Sequence, residues 1–224
     1  HITFGLITTG VYDRLWKAEV SVFNGREPDE NRADLDLAPL DSLSGRLSFL
    51  PTDRLAVQVS AAHLEEAEQE FSPQPRSDVN KATVSATYHR LISRTRVWAT
   101  TIAWGANSGR EIIPTGVFDA VTHAMLAETT VMTGERHTWF GRVEVMGKPA
   151  HDLHAHEFGA EVFTVGKLQI GYVRHLELWN GVAAGVGGTM SASLLPSRLA
   201  ERYYGRVSPG FGVFFNMRPA RHAM

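Results

Sequence analysis

The sequence predicts an all-β fold, an antiparallel up-and-down sheet of about 11–12 strands, and three observations carry that prediction. Apolar and polar residues alternate with period two along almost the whole chain. In KATVSATYHR (81–90), Ala82, Val84, Ala86 and Tyr88 oppose Lys81, Thr83, Ser85, Thr87 and His89. The connections between alternating segments are short and long by turns, as in a series of hairpins. The 224 residues contain no apolar run near the ~18 that a transmembrane helix needs.

Each strand is justified by its own alternation. Residues 1–9 set Ile2, Phe4 and Leu6 against Thr3, Gly5 and Thr9, and 14–23 set Trp16, Ala18, Val20 and Val22 against Lys17, Glu19 and Ser21. Residues 42–50 set Leu43, Gly45, Leu47 and Phe49 against Ser42, Ser44, Arg46 and Ser48; 55–62 set Leu55, Val57, Val59 and Ala61 against Ala56, Gln58 and Ser60. The stretch 81–90 is the fifth strand. The sixth, 96–105, carries Trp98, Ile102 and Trp104 on its apolar side, and the seventh, 120–131, Val121, Met125 and Val131 opposite Glu128. The eighth, 138–147, sets Trp139, Gly141, Val143 and Val145 against Thr138, Arg142 and Glu144. The last three are 164–176 (Leu168, Ile170, Tyr172 against Lys167, Gln169, Gly171), 182–193 (Val182, Val186, Met190 against small residues) and 209–218 (Phe211, Val213, Phe215, Met217 against Gly210, Gly212, Asn216).

Short connections fall at 10–13, 51–54, 92–95, 133–136 and 177–181, and long ones at 24–40, 64–80, 106–119, 148–163 and 194–207. Strict alternation puts the short turns at one end of the sheet and the long loops at the other. Outer-membrane barrels are built this way, whereas Greek-key sandwiches mix their connections. Segment 157–165 (EFGAEVFTV) is the one place where a further strand could hide.

Composition excludes several classes. The formal net charge of −2 and the pI near 6.6 leave no electrostatic footprint for nucleic acid. Absence of cysteine excludes disulfides and thiolate metal sites. A mean hydropathy of −0.15 suits a soluble protein and equally a membrane barrel, in which only alternate strand residues are apolar.

The same alternation fits a soluble sheet with a greasy interior or a barrel standing in lipid. Eleven strands make a ring too wide for apolar side chains to fill, and a large dry void is foreign to close-packed proteins. A water-filled lumen has no such difficulty. Lys17, Glu19, Arg46, Arg142 and Glu144 sit mid-strand, where facing lipid would cost roughly 2–4 kcal/mol for each basic one and facing a lumen costs little. Aromatics on the apolar parity near strand ends (Phe4, Trp16, Phe49, Tyr88, Trp98, Trp104, Trp139, Tyr172, Phe211, Phe215) match two interfacial girdles. The sequence therefore predicts a transmembrane β-barrel.

Bacterial outer-membrane barrels have an even strand count with both termini periplasmic. Here the eleventh strand ends on the short-turn side, while residue 1 falls on the long-loop side. The expectation is a single barrel domain, 1–224, preceded by at least one strand and forming part of a larger even-stranded barrel.

HITFGLITTGVY, VFNGREPDENR, APLDSLSGRLSFLPT, FTVGKLQIGYVR and YYGRVSPGFGVFFNMRP resemble a group of uncharacterised proteobacterial outer-membrane proteins of porin-like type, over essentially the whole chain. Members of that group are longer, with a signal peptide and additional N-terminal strands, so the resemblance implies that this is the C-terminal part of a longer chain. It implies no catalytic residue.

Among residues that carry chemistry, HDLHAHE (151–157) stands out. His151, His154 and His156, with Asp152 and Glu157, offer ligands to Zn²⁺, Cu²⁺ or Ni²⁺, although the spacing matches no standard motif and a solvated histidine-rich loop has the same composition. This loop, 148–163, is the single place where a divalent metal is expected; no other cofactor is. An enzyme would need a nucleophile and base, and Asp41, Ser42, Ser44, His63, His89 and His123 supply the types without a GxSxG elbow, so the reading is not an enzyme. GVAAGVGG (181–188) lies in a strand and opens no helix, which marks small lumen-facing residues rather than a phosphate loop. The residues expected to line a pore are Lys17, Glu19, Arg46, Lys81, Glu128, Arg142, Glu144 and Lys167, five cations against three anions, giving a mild anion preference. Pairs such as Lys17 with Glu19 and Arg142 with Glu144 also serve as ladders that hold the wall.

The function expected is a porin-like outer-membrane channel for passive diffusion of small hydrophilic solutes or ions, with the 24–40 loop as constriction or lid. The alternative is a non-conducting barrel acting as a binding or structural scaffold through its outer loops, and a third is a soluble β-sandwich or lipocalin-like binder. The partners implied are outer-membrane lipid and lipopolysaccharide, small hydrophilic solutes and further copies of the chain as a homo-oligomer, with no nucleic acid.

Overall fold

The computed structural model describes residues 5–28, 37–68, 76–113, 116–134, 136–179, 182–201 and 205–219. They form eleven strands: β1 (Leu6–Tyr12), β2 (Trp16–Phe23), β3 (Ser42–Thr52), β4 (Leu55–Glu68), β5 (Ser77–Ser93), β6 (Arg96–Ile113), β7 (Gly116–Thr133), β8 (His137–Pro149), β9 (Val162–Trp179), β10 (Val182–Leu194) and β11 (Val207–Pro219). All belong to one sheet in the order β1 to β11, so each strand lies beside its neighbours in sequence. The pairs β1–β2, β2–β3, β3–β4, β9–β10 and β10–β11 are antiparallel. This is the all-β up-and-down sheet that the alternation predicts. Helical structure among the described residues is limited to α1 (Ser197–Ala200) and two 3-10 turns, His151–Leu153 and His156–Phe158. No helix among them is long and apolar enough to cross a membrane, which leaves crossing by strands open.

Register fixes the two faces. Ala18 faces Leu47, which faces Val59, and Val20 faces Gly45, which faces Ala61, so these side chains share the apolar face. Glu19 faces Arg46 and Arg46 faces Ser60 on the polar face. The large apolar side chains stay uncovered: Trp16, Leu47 and Val143 are 42, 58 and 48 % exposed. Buried apolar residues among those described are few, and several lie at strand ends and in loops: Leu64, Ala67, Val79, Ala150, Ala155, Phe163, Val173, Ala184 and Leu199. A chain that leaves its Leu, Val and Trp outside while making continuous ladders is the inverse of a water-soluble core.

Tertiary contacts divide the chain into two compact units, His1–Ala86 with Ala103–Ala124 and Gly147–Phe163, and Thr87–Ile102 with Met125–Met146 and Thr164–Met224. In the first unit, Leu64, Ala67 and Val79 form a small core against Phe23 and Ala62. In the second, Phe140 lies over Gly171 and 6.4 Å from Phe214, which in turn covers Gly187. A Cβ on Gly171 or Gly187 would collide with those rings, so these glycines make room for aromatics. The small residues of the 181–188 run, of which 181 lies outside the described residues, therefore admit side chains rather than simply facing water.

The structure corrects the sequence reading in three places. The connection 106–119, read as a long loop, is strand almost throughout: β6 continues to Ile113 and β7 begins at Gly116. The apolar alternation fades at NSGRE, but backbone pairing does not need it. Short and long connections consequently do not alternate without exception. Leu6 stands on the polar face, since it pairs with Phe23 while Thr9 pairs with Val20, so the first strand's parity is inverted. Hairpin register, not local hydrophobicity, decides which way a strand edge turns. Ile2, Thr3 and Phe4 lie outside the described residues. Segment 157–165 holds the turn His156–Phe158 and then the start of β9 at Val162, with no additional strand.

Candidate functional site

The polar face of β1 to β5 in the first unit gathers four of the predicted residues. Lys17 and Glu19 stand two apart on β2, and their side chains pair at 3.0 Å. Glu19 faces Arg46 on β3, and Lys17 faces Tyr12 on β1 and Ser48 on β3. Hydroxyls continue the wet surface: Thr8 and Ser21 share a hydrogen bond of 2.8 Å, and Ser60 and Thr83 one of 2.7 Å. Glu19, Arg46 and Lys81 line a concavity of about 400 Å³ with Thr8, Ser21 and Thr83. A charged wall interleaved with hydroxyls can hold water and sort ions by sign. The Lys17–Glu19 pair is half-exposed at the lysine, so it contributes at most about 1 kcal/mol to stability and mainly fixes where the charges stand.

At one end of this wall the described ends of the 24–40 loop are tied down. Glu27 N–H donates to the Ala67 carbonyl at 2.9 Å, and Arg76 Nη1 donates to the Glu27 carbonyl at 3.2 Å. Arg26 pairs with Glu66 at 2.6 Å and with Asp41 at 3.8 Å, and its backbone N–H donates to Asn24 Oδ1 at 3.0 Å. A Cβ on Gly25 would collide with Ser42, a polar-face residue, so the loop leaves β2 in close contact with that face. Residues 29–36, the middle of the predicted constriction, lie outside the described residues.

In the second unit Arg142 and Glu144 pair at 3.0 Å along β8. Lys167 faces Ser193 on β10, and the Glu144 carbonyl lies against Gly166, so lysine and carboxylate belong to the same stretch of polar face. Glu128 is exposed on β7. On its other face, β7 turns Thr129 toward β6, where its hydroxyl meets Thr100 at 2.8 Å and takes the Trp98 Nε1–H at 3.0 Å. His175 is buried, with Nε2 2.9 Å from Thr138 Oγ1. Tyr88 meets Trp98 edge-on at 5.6 Å, and Trp139 lies 4.5 Å from Tyr172, so four of the predicted girdle positions form two aromatic pairs.

The histidine-rich loop is a folded element. Ala150 N–H donates to the Glu161 carbonyl and Ala155 N–H to the Ala150 carbonyl, each at 2.9 Å, and both alanines are fully buried. His151 Nε2 lies 3.0 Å and Lys148 Nζ 2.9 Å from the Asp152 carboxylate. The His151 hydrogen bond, followed by that from Lys148, outweighs burial and holds the Asp152 carboxyl down to about 2. His154 and His156 meet edge-on with ring centroids 6.2 Å apart.

The nucleophile and base candidates are dispersed. Ser42 is buried; its Oγ donates to Asp41 at 3.2 Å and accepts the Glu65 N–H at 3.0 Å, while His63 bonds Asn80 and Glu65 instead. His123 stacks on Trp104 at 5.8 Å.

No family model and no curated protein sequence matches the chain. Among solved structures it is similar to the outer membrane channel DcaP of Acinetobacter baumannii, with a TM-score of 0.59 and 8 % identity over 96 % of this chain. That identity speaks for the fold alone, and this chain spans 62 % of the channel's length. A weaker likeness, TM-score 0.36 at 10 % identity over 96 % of this chain and 40 % of the other, is to the ferric yersiniabactin uptake receptor FyuA from Yersinia pestis, and it carries no argument.

Proposed function

We propose that the sheet is wall material of an outer-membrane channel through which small hydrophilic solutes or ions diffuse passively. One observation carries the reading: the strand pairs from β1 to β4 present uncovered apolar side chains such as Val20, Leu47 and Val59 on one face and the charged Lys17, Glu19 and Arg46 on the other. Leu47 and Val143 in hydrocarbon lose contact with water, while Arg46 and Arg142 keep theirs in an aqueous lumen. The fold likeness to an outer membrane channel supports this reading, and so does the concavity bounded by Glu19, Arg46 and Lys81. Selectivity would follow from those charges and from the loop anchored by Arg26.

A second reading, a non-conducting scaffold, has its own support in the second unit, where Phe140 and Phe214 occupy polar-face space above glycines. Single-channel recording in planar bilayers separates the two. Stepwise conductance from the folded chain supports the channel; a chain that inserts, resists extraction by carbonate and stays silent refutes it in favour of the scaffold.

A further inference from the structure

We infer that the loop-side ends of β4 and β5 form a divalent-metal site whose ligands are His63, Glu65 and Asp78, suited to Zn²⁺ and similar borderline cations. The site does not depend on the channel reading.

His63 and Glu65 are two apart on β4, and Asp78 and Asn80 two apart on β5. His63 Nδ1 lies 2.9 Å from Asn80 Oδ1, and His63 Nε2 lies 3.3 Å from Glu65 Oε1. The donor atoms of His63, Glu65 and Asp78 all lie within 4.8 Å of one another, the one such group of three among the described residues. Ligands about 2.1 Å from a tetrahedral Zn²⁺ stand ~3.4 Å apart, so rotation of the carboxylates closes the site. Asn80 orients the imidazole from the other ring nitrogen, as supporting hydrogen bonds do in zinc sites.

Two further features favour a cation here, at the strand ends where His63 faces Leu43 across β3 and β4. Charge is sorted across the strand end: Arg26 takes Asp41 and Glu66, while no lysine or arginine pairs with Glu65 or Asp78 among the described residues. Glu66 holds a left-handed backbone, φ 46°, unusual for a residue with a side chain. That twist sends its N–H to Asp78 Oδ1 at 2.9 Å, which fixes one carboxylate oxygen and leaves the other for an ion. Nitrogen-plus-carboxylate coordination without thiolate selects Zn²⁺-like ions over Ca²⁺ or Mg²⁺, which prefer oxygen alone.

The test is calorimetric titration of Zn²⁺ into the full chain folded in detergent micelles. It compares the wild type with His63→Ala, Asp78→Asn, Asn80→Ala and a triple variant carrying alanine at His151, His154 and His156, each checked for a wild-type far-UV circular dichroism spectrum. The expected result is binding in the wild type and the triple variant, weakened about 10- to 100-fold or lost in His63→Ala and Asp78→Asn. Asn80→Ala removes the bond that orients the imidazole and leaves all three ligands in place, so it should weaken binding about tenfold or more without abolishing it. Unchanged affinity in His63→Ala and Asp78→Asn overturns the site, and so does loss of binding confined to the triple variant.

Discussion

Val143 offers the sharpest test of which face meets lipid. It is the central residue of β8 (His137–Pro149), 48 % exposed, and sits between Arg142 and Glu144, which point the other way. At ~3.3 Å per residue and a tilt near 45°, either end of the strand is about 14 Å away along the bilayer normal. Val143 therefore falls near the middle of an apolar band ~25 Å tall, where an arginine costs most. Val143→Arg should destabilise the folded state by about 2–4 kcal/mol, roughly a 30- to 700-fold fall in the folding constant. The assay is urea unfolding from phospholipid vesicles followed by tryptophan fluorescence; with a slope near ~2 kcal/mol per molar, the midpoint should drop by about 1–2 M. Arg142→Ala, on the polar face, removes a half-exposed ion pair and should cost no more than about 1 kcal/mol. If the apolar face were wetted by buffer, Val143→Arg would be an ordinary surface change within about 0.5 kcal/mol. A midpoint matching the wild type's would sink the membrane assignment and the channel with it.

Further outcomes follow from the same geometry. Arg46→Glu reverses a charge in the concavity shared with Glu19 and Lys81, and in bilayers under a salt gradient it should shift the reversal potential toward cations; an unmoved potential removes Arg46 from the ion path. Gly171→Ala forces a methyl into the Phe140 ring and should cost about 1–3 kcal/mol. Gly45→Ala meets nothing within 4 Å and should be neutral or stabilise by up to about 1 kcal/mol; equal unfolding midpoints for the two variants would contradict the packing described. Asp152 has a folded pKa of about 2, below its ordinary 3.8, so its contribution is complete above pH ~4 and disappears as pH falls through about 2. After screening of a pair about one-third exposed, that contribution is about 1 kcal/mol. Hydrogen exchange at the Ala155 amide should therefore speed up between pH 4 and 2 in the wild type, beyond the intrinsic pH trend, and Asp152→Asn should abolish that excess.

How much of this was legible in the sequence depends on whether one strand or two were needed to see it. Leu43, Gly45, Leu47 and Phe49 announce their face within β3 alone, because period two is a property of a single strand. The extension of β6 and β7 through 106–119 was missed because alternation fades at NSGRE and Pro114 and Gly116 read as a loop, and only paired backbone distinguishes such strands from loops. Leu6 was misassigned because its own neighbours alternate correctly while the hairpin register opposite Phe23 sets the face. The aromatic filling at Phe140 and Phe214 was invisible for a similar reason: each ring covers a glycine on another strand. The His63 cluster needs even more, since HLE and DVN become neighbours only through the β4–β5 pairing and the twist at Glu66. A matching signal was nevertheless present, in two spaced polar pairs placed just past the alanines that end each apolar run.

The exposure pattern also bears on what holds the fold together. In a water-soluble domain, stability at ~25 cal/mol per Å² comes from covering side chains such as Leu47, Ile102, Met125 and Phe215, all of which are more than half exposed here. The apolar residues that are fully covered serve local tasks: Ala150 and Ala155 close the 148–163 loop, and Leu199 anchors α1. A sheet assembled this way would present water with a continuous apolar face far beyond the few hundred Å² that soluble monomers tolerate. On the membrane reading, hydrocarbon would remove that penalty and make every unpaired N–H and C=O expensive, so the hydrogen-bonded neighbours β5 to β9, 13 to 18 residues long, would supply the main cohesion. The ion pairs of Lys17 with Glu19 and of Arg142 with Glu144 then matter less for stability than for position, since each fixes its charges on the polar face of its own strand.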